Sequence, residues 1–225
     1  MINKISSGSV ELDYFIGGGY EAEVLTTIFG PAGSGKTNLC LLAMANFSSK
    51  KKIVYIDTEG SFSLERFKQI TPDYKDFMSR IIFFKPTNFE EQKKIFLDLK
   101  KVIDDVGLIV FDSVAMLYRL EIGRNNDVYN VNKDLSVQLS YLSEIARKKK
   151  IPVLITNQVY ADFENKNKVK MVGGDILKYS SKCLIELQNG EGFKRVILRK
   201  HRSLPDGKEL FFKIINIGIE KFNPQ

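Results

Sequence analysis

Up to Gln158 the chain alternates short apolar runs with longer amphipathic stretches. The runs are Val24 to Gly30 (VLTTIFG), Ile53 to Asp57 (IVYID), Ile81 to Phe84 (IIFF), Leu108 to Asp112 (LIVFD) and Pro152 to Gln158 (PVLITNQ). Each is apolar on both faces and rich in β-branched or aromatic residues, as strands covered by helices on either side must be. Three stretches between them have helical spacing. These are Lys36 to Phe47, Asn88 to Asp104 (Ile95, Leu99, Val102, Ile103) and Val128 to Lys149 (Leu135, Leu139, Leu142, Ile145). Strand and helix in alternation predict an α/β fold, with a mostly parallel central sheet flanked by helices and ligands at the carboxyl ends of the strands. After Gln158 the segments KCLIEL, RVILRK and LFFKI follow one another across short turns such as QNGEG, which predicts C-terminal antiparallel hairpin strands.

Composition narrows the classes. At 225 residues and 44% hydrophobic the chain can bury one well-formed core, and no linker or repeat suggests a second. No run approaches the ~18 consecutive apolar residues of a membrane span. The opening MINKISSGSVELDYF lacks the basic-then-apolar order of a signal peptide, so a cytoplasmic protein is expected. Cys40 and Cys183 sit in apolar contexts and read as small buried hydrophobes; a single histidine argues against a zinc site. The net charge of +7 permits attraction to polyanions. The runs SSKKK and ARKKK each precede an apolar strand and read as cations complementing helix C-termini.

The chemistry concentrates at GPAGSGKT, which matches G-x-x-x-x-G-K-[ST] between a strand and a helix. Gly30, Pro31, Ala32, Gly33, Ser34, Gly35, Lys36, Thr37 and the following Asn38 are the candidate nucleotide site. Glycines let consecutive backbone N–H groups curl around phosphates, and the helix adds its positive end. Lys36 is expected to reach the β- and γ-phosphates of ATP, and the Thr37 hydroxyl to ligate Mg²⁺. Asp112, ending a buried strand, is the second candidate for the magnesium shell; the competing reading is a helix cap. Asp57 and Glu59 in YIDTEG fall at another strand end. Glu59 is the candidate general base, and from the residues alone an acidic turn before SLERF is an equal reading. Asn157 and Gln158 end a fourth strand with amides that can sense the nucleotide's state.

These motifs, with ISSGSVELDYFIGGG, FDSVAMLYR and GGDILKYSSKCLIEL in the same order, resemble the RecA-type recombinases of the archaeal and eukaryotic branch over nearly the whole chain. The resemblance implies a RecA-like P-loop ATPase core as one domain over residues 1–225. No N-terminal helical DNA-binding domain is expected, and the chain looks like a short archaeal paralogue. It implies that Glu59 is the catalytic glutamate, that Gln158 is the switch glutamine and that Arg66 stacks on adenine. LYRLEIGRNND would be the first DNA-binding loop, with Arg119 and Arg124 on phosphates. Tyr160 to Val172 would be the second, with Lys166, Lys168 and Lys170; ordinary solvated loops are the competing reading. Without the family's N-terminal domain and polymerisation linker, and with Phe163 in a short second loop, filament formation and strand exchange by the chain itself are not expected.

The expected function is an ATP- and DNA-binding accessory protein of recombination and repair, with weak Mg²⁺-dependent, DNA-dependent ATP hydrolysis and a nucleoid-associated location. Expected partners are single-stranded DNA, the main recombinase, other repair proteins and a second copy of the chain. A non-hydrolysing adaptor that recruits repair proteins is the alternative. A small-molecule kinase ranks lower, because no arginine-rich helical lid is visible between the strands. Finally, LRKHRSLP closes a strand with Lys200, His201 and Arg202. They read as a phosphate sensor across a subunit interface, a DNA patch or a solvated strand end. In an extended chain Lys200 and Arg202 share one face and His201 takes the other.

Overall fold

The computed structural model describes residues 3–124, 127–161 and 169–224. A two-stranded ribbon of β1 (Lys4–Ile5) and β2 (Tyr20–Glu21) brackets α1 (Val10–Phe15). Then come β3 (Leu25–Gly30), α2 (Lys36–Ala45), β4 (Lys52–Asp57), α3 (Leu64–Ile70), α4 (Tyr74–Arg80) and β5 (Ile81–Phe84). The middle of the chain holds α5 (Phe89–Val102), β6 (Val106–Asp112), α6 (Met116–Arg124) and α7 (Val128–Lys149). It closes with β7 (Val153–Ala161), β8 (Val169–Met171), α8 (Gly174–Ser180), β9 (Cys183–Asn189), β10 (Lys194–Lys200), β11 (Glu209–Ile215) and β12 (Gly218–Lys221).

The main sheet runs β12-β11-β10-β9-β3-β7-β6-β4-β5, with β8 paired to the end of β7. From β9 to β5 every neighbouring pair is parallel, whereas β10, β11 and β12 are antiparallel. The expected architecture is therefore the observed one. The antiparallel extension places β10 between β9 and β11, so the KHRSLP segment after it is a hairpin connection inside the sheet and not at its edge.

Alternation along the central strands divides the core in two. Ile53, Tyr55, Leu108, Val110 and Leu154 pack with Leu39, Leu42 and Met44 of α2 on one face. Val54, Ile56, Ile109, Phe111, Val153 and Ile155 pack with Leu99 of α5 and Leu135, Leu139 and Leu142 of α7 on the other. Period-two side-chain direction makes both sets apolar, which is why these strands read as unbroken hydrophobic runs. Helix ends follow local chemistry. The Ser63, Asn88 and Asp127 side chains accept backbone N–H groups of Arg66, Glu91 and Asn130 at the starts of α3, α5 and α7. The basic run ARKKK supplies Arg147, Lys148 and Lys149 to the last turn of α7, as its sequence position suggested. Cys40 and Cys183 are free and buried; burial pushes the Cys183 thiol up to about 12 and the Cys40 thiol up as well.

Two boundaries differ from the periodicity. The helix expected to reach Phe47 stops at Ala45, where the Asn46 side chain turns back to donate to the Leu42 carbonyl at 3.0 Å. The segment LYRLEIGR, expected as a loop, is helix α6. Leu117 and Tyr118 are buried in the second core, and the Tyr118 hydroxyl donates to Asn132 of α7 at 2.5 Å. Burial of that apolar pair outweighs the polar and charged residues that follow it.

Leu139 is fully buried between α7 and the sheet. Leu139→Ala is expected to lower unfolding stability by about 3 kcal/mol. Urea denaturation of the two proteins checks this.

Candidate functional site

The site is assembled by register. Gly30 of β3 pairs with Gln158 of β7, and Asp57 of β4 pairs with Asp112 of β6, so the last residues of three strands and Gln158 of a fourth meet at one edge. The chain then turns through residues 31–35 into α2. Gly35 begins that helix at φ 100°, a left-handed conformation that disfavours any side chain. A Cβ at Gly30 would collide with the Leu187 carbonyl oxygen of β9, so glycine is required where the loop leaves the sheet.

Lys36 Nζ lies over its own loop, donating to the Gly30 and Pro31 carbonyls at 2.9 Å each. Burial lowers its pKa, and the charges of Glu59 and Asp112 oppose that shift. Buried Ser34 Oγ and Asn38 Nδ2 have no hydrogen-bond partner, as polar atoms facing a phosphate or nucleoside group would. Left-handed glycine, lysine and orphaned polar atoms together fit a nucleoside polyphosphate.

Asp112 is almost fully buried and is satisfied by hydroxyl groups. Its Oδ2 accepts from Thr37 at 2.7 Å, Tyr55 at 2.8 Å and Ser61 at 2.8 Å, and its Oδ1 accepts from Thr156. Thr37 and Asp112 are thus adjacent, as an Mg²⁺ site requires of its oxygen ligands. The sequence reading missed Tyr55, Ser61 and Thr156. Thr156 left a signal as a polar residue inside an otherwise apolar strand. Asp57, placed beside the site from its position, is instead committed to the turn: its carboxylate accepts the backbone N–H groups of Glu59, Ser61 and Phe62 at 3.0 to 3.3 Å. That turn leaves Glu59 free to meet Gln158, whose Nε2 donates to Glu59 Oε1 at 2.9 Å.

Asn157 does not share this role. Strand alternation turns its side chain away, and its Nδ2 donates to the Val172 carbonyl at 2.7 Å. The Gln158 carbonyl accepts Val172 N–H at 3.0 Å, so both residues fasten the segment between β8 and α8.

A model of the Rad51 family matches residues 1–222. The chain belongs to the Rad51 family. It is 44% identical to the DNA repair and recombination protein RadB of Methanobrevibacter smithii, over 96% of this chain and 95% of that protein. It is 41% identical to the protein of the same name from Methanococcoides burtonii, over 96% and 97%. A solved structure of the RadB recombinase superposes with a TM-score of 0.81 at 35% identity, covering 97% of this chain and all of that one. The RecA-like core and the RadB-like character expected from the motifs are therefore present.

Within this Rad51-family fold, Arg66 stands beside the phosphate-loop helix. Its Nε donates to Asn38 Oδ1 at 2.8 Å, and its NH1 and NH2 donate to the carbonyls of Asn216, Ile215 and Gly218 in the β11–β12 turn. Those bonds use the edge of the guanidinium; stacking on a base uses its face. Arg119 and Arg124 are exposed on α6, and Lys170 is exposed on β8, where it pairs across from Tyr160. Lys166, Lys168 and Phe163 lie outside the described residues.

The cations after β10 depart from the extended-chain expectation. The strand ends at Lys200, so alternation stops there. Lys200 Nζ donates to the Lys178 and Ser181 carbonyls at 2.8 and 2.7 Å, capping the end of α8. Arg202 and His201 turn together toward the buried carboxylate of Glu21 in β2: Arg202 Nε donates to Oε2 at 2.5 Å, and His201 Nε2 is 4.0 Å from Oε1. The cluster joins the N-terminal ribbon to the β10–β11 connection.

The His201 side chain is 2% exposed. Burial lowers its pKa; Glu21 opposes this, and Lys4, Arg202 and Lys208 reinforce it. The unfolded chain therefore takes up the proton first. His201 contributes stability above its ordinary value near pH ~6.5 that is lost as pH falls toward its lower folded value. Between about pH 7.5 and about pH 5.5 the native protein should lose more stability than His201→Gln, read as the difference in urea midpoints.

Proposed function

We propose that this protein binds ATP with Mg²⁺, hydrolyses it slowly in response to DNA, and assists homologous recombination and DNA repair. The observation that carries this reading is the convergence of the Lys36–Thr37 loop, Asp112 and the Glu59–Gln158 pair at one sheet edge. Its RadB-named relatives carry DNA repair and recombination in their names. The chain then acts as one ATPase core in the cytoplasm, near the nucleoid. Among the described residues no helix is long and apolar enough to cross a membrane.

The contacts support the following roles. ATP with its magnesium supplies a labile phosphoryl bond and neutralises charge as that bond breaks. Lys36, the loop N–H groups and Arg66 bind and orient the nucleotide. Thr37 and Asp112 would hold the metal, with Tyr55, Ser61 and Thr156 keeping the Asp112 carboxylate in place. Glu59 accepts a proton from water, and the Gln158 amide fixes which of its oxygens is free to do so. Since Gln158 also holds Val172, a change at Glu59 reaches the β7–β8 ribbon on which Lys170 is carried. Arg119, Arg124 and Lys170 then serve DNA phosphates.

Two experiments test the reading. Lys36→Ala should weaken ATP binding by at least ~10-fold with the fold kept. Glu59→Gln should keep ATP affinity while cutting turnover by ~100-fold or more; calorimetry and phosphate release, with and without single-stranded DNA, read both. Unchanged turnover in Glu59→Gln would return that residue to a structural role. Replacing Arg119 and Arg124 with alanine should reduce the slope of log affinity for single-stranded DNA against log salt by about 1 to 2. An unaltered slope would remove α6 from the DNA surface.

A further inference from the structure

The phosphate loop is held from outside as well as from within. Asn189 and Lys194 are a cross-strand pair at the tip of the β9–β10 hairpin. Lys194 Nζ donates to the Gly33 carbonyl and to Asn189 Oδ1, each at 2.8 Å, and Asn189 Nδ2 donates to the Ala32 carbonyl at 3.3 Å. The two carbonyls belong to consecutive peptides at the crest of the loop, whose N–H groups are those of Gly33 and Ser34. In such loops the N–H groups cradle the α- and β-phosphates while the carbonyls face away.

We propose that Lys194, aided by Asn189, is a positioning residue for nucleotide binding that acts through the outer carbonyls of the phosphate loop. This rests on the nucleotide reading above. A cation on the Gly33 carbonyl draws electron density along that peptide and makes the Ser34 N–H a stronger donor, since hydrogen bonds in series polarise one another. The bond also holds the crest in one orientation before a phosphate arrives, which reduces the ordering cost of binding.

The hairpin is built to hold that lysine still. Gly190 N–H donates to the Phe193 carbonyl at 2.9 Å, closing the tip. The Phe193 ring stacks on Phe222 at 5.1 Å and meets Phe211 edge-on at 5.8 Å, anchoring the tip to β11 and to the chain after β12. Lys194 also pairs across the ladder with Phe212 of β11. An ordinary surface lysine needs no such support; one that must keep its ammonium on a single carbonyl does.

The test compares ATP and ADP affinity, by calorimetry, for the native protein, Lys194→Met, Lys194→Arg and Asn189→Ala. Lys194→Met is expected to weaken both nucleotides by the same factor, on the order of tenfold. Lys194→Arg should restore most of the loss, and thermal unfolding without nucleotide should be unchanged. Equal native and Lys194→Met affinities would overturn the proposal. So would a loss confined to ATP, which would mean that Lys194 touches the γ-phosphate itself. Failure of the arginine to rescue would also count against it. Should Lys194→Met not fold, Asn189→Ala carries the test: a few-fold loss for both nucleotides supports the proposal, and none overturns it. A native protein that binds neither nucleotide defeats the functional reading, and this inference with it.

Discussion

Everything at the site depends on parallel register. Gly30 beside Gln158 and Asp57 beside Asp112 are backbone pairings, independent of the side-chain contacts at the site. A slip of one residue in β7 would turn Gln158 away from Glu59 and move Leu154 from the first core into the second, where it does not match the packing. Packing forbids the slip, because β4, β6 and β7 are apolar on both faces and each face has its own helices. The two cores therefore do more than stabilise. They fix to within one residue which side chains reach the phosphate end, and this links burial in the middle of the sheet to chemistry at its edge.

Asp112 shows what that precision allows. A carboxylate this buried is costly unless its oxygens are occupied. Here four hydroxyls from four different segments occupy them: the start of α2, β4, the turn after β4, and β7. Hydroxyl groups satisfy the charge without cancelling it, as a lysine would, so the site keeps its negative potential. The same logic separates Asp57 from Asp112. Both end parallel strands, but Asp57 is spent on backbone N–H groups and serves the geometry of Glu59.

The sheet, its switch to antiparallel strands and the phosphate loop were legible because each rests on local pattern: period two, period 3.6, and glycines before a lysine. What escaped depends on partners distant in the chain. Tyr55 and Thr156 look like strand residues until Asp112 lies beside them. The resemblance makes LYRLEIGR a loop, whereas Leu117 and Tyr118 bury one side of α6 and Tyr118 bonds to α7, a later element. Glu59 was ambiguous in sequence between an acidic turn and a base. The Gln158 contact, 99 positions away, gives it a specific partner. The hairpin lysine carried no signal at all, since Lys194 in GFKRV is one cation among many.

The cationic cluster after β10 carries a general lesson about charge. A net charge of +7 invites assigning each basic run to a polyanion. Yet Lys200 is committed to helix carbonyls, and Arg202 makes the direct hydrogen bond to a buried carboxylate. Removing Arg202 would leave Glu21 with a distant, predominantly neutral His201 and Lys4 at 3.7 Å, a poor exchange for a direct bond in a buried setting. Arg202, with His201 beside it, holds the N-terminal ribbon against the sheet. That fastening keeps Tyr20 and Ile16 in the first core beside α2, the helix that carries Lys36 and Thr37. Their connection to the phosphate loop is thus through packing and runs inside one chain. Exposure on α6 sets Arg119 and Arg124 apart from these committed cations.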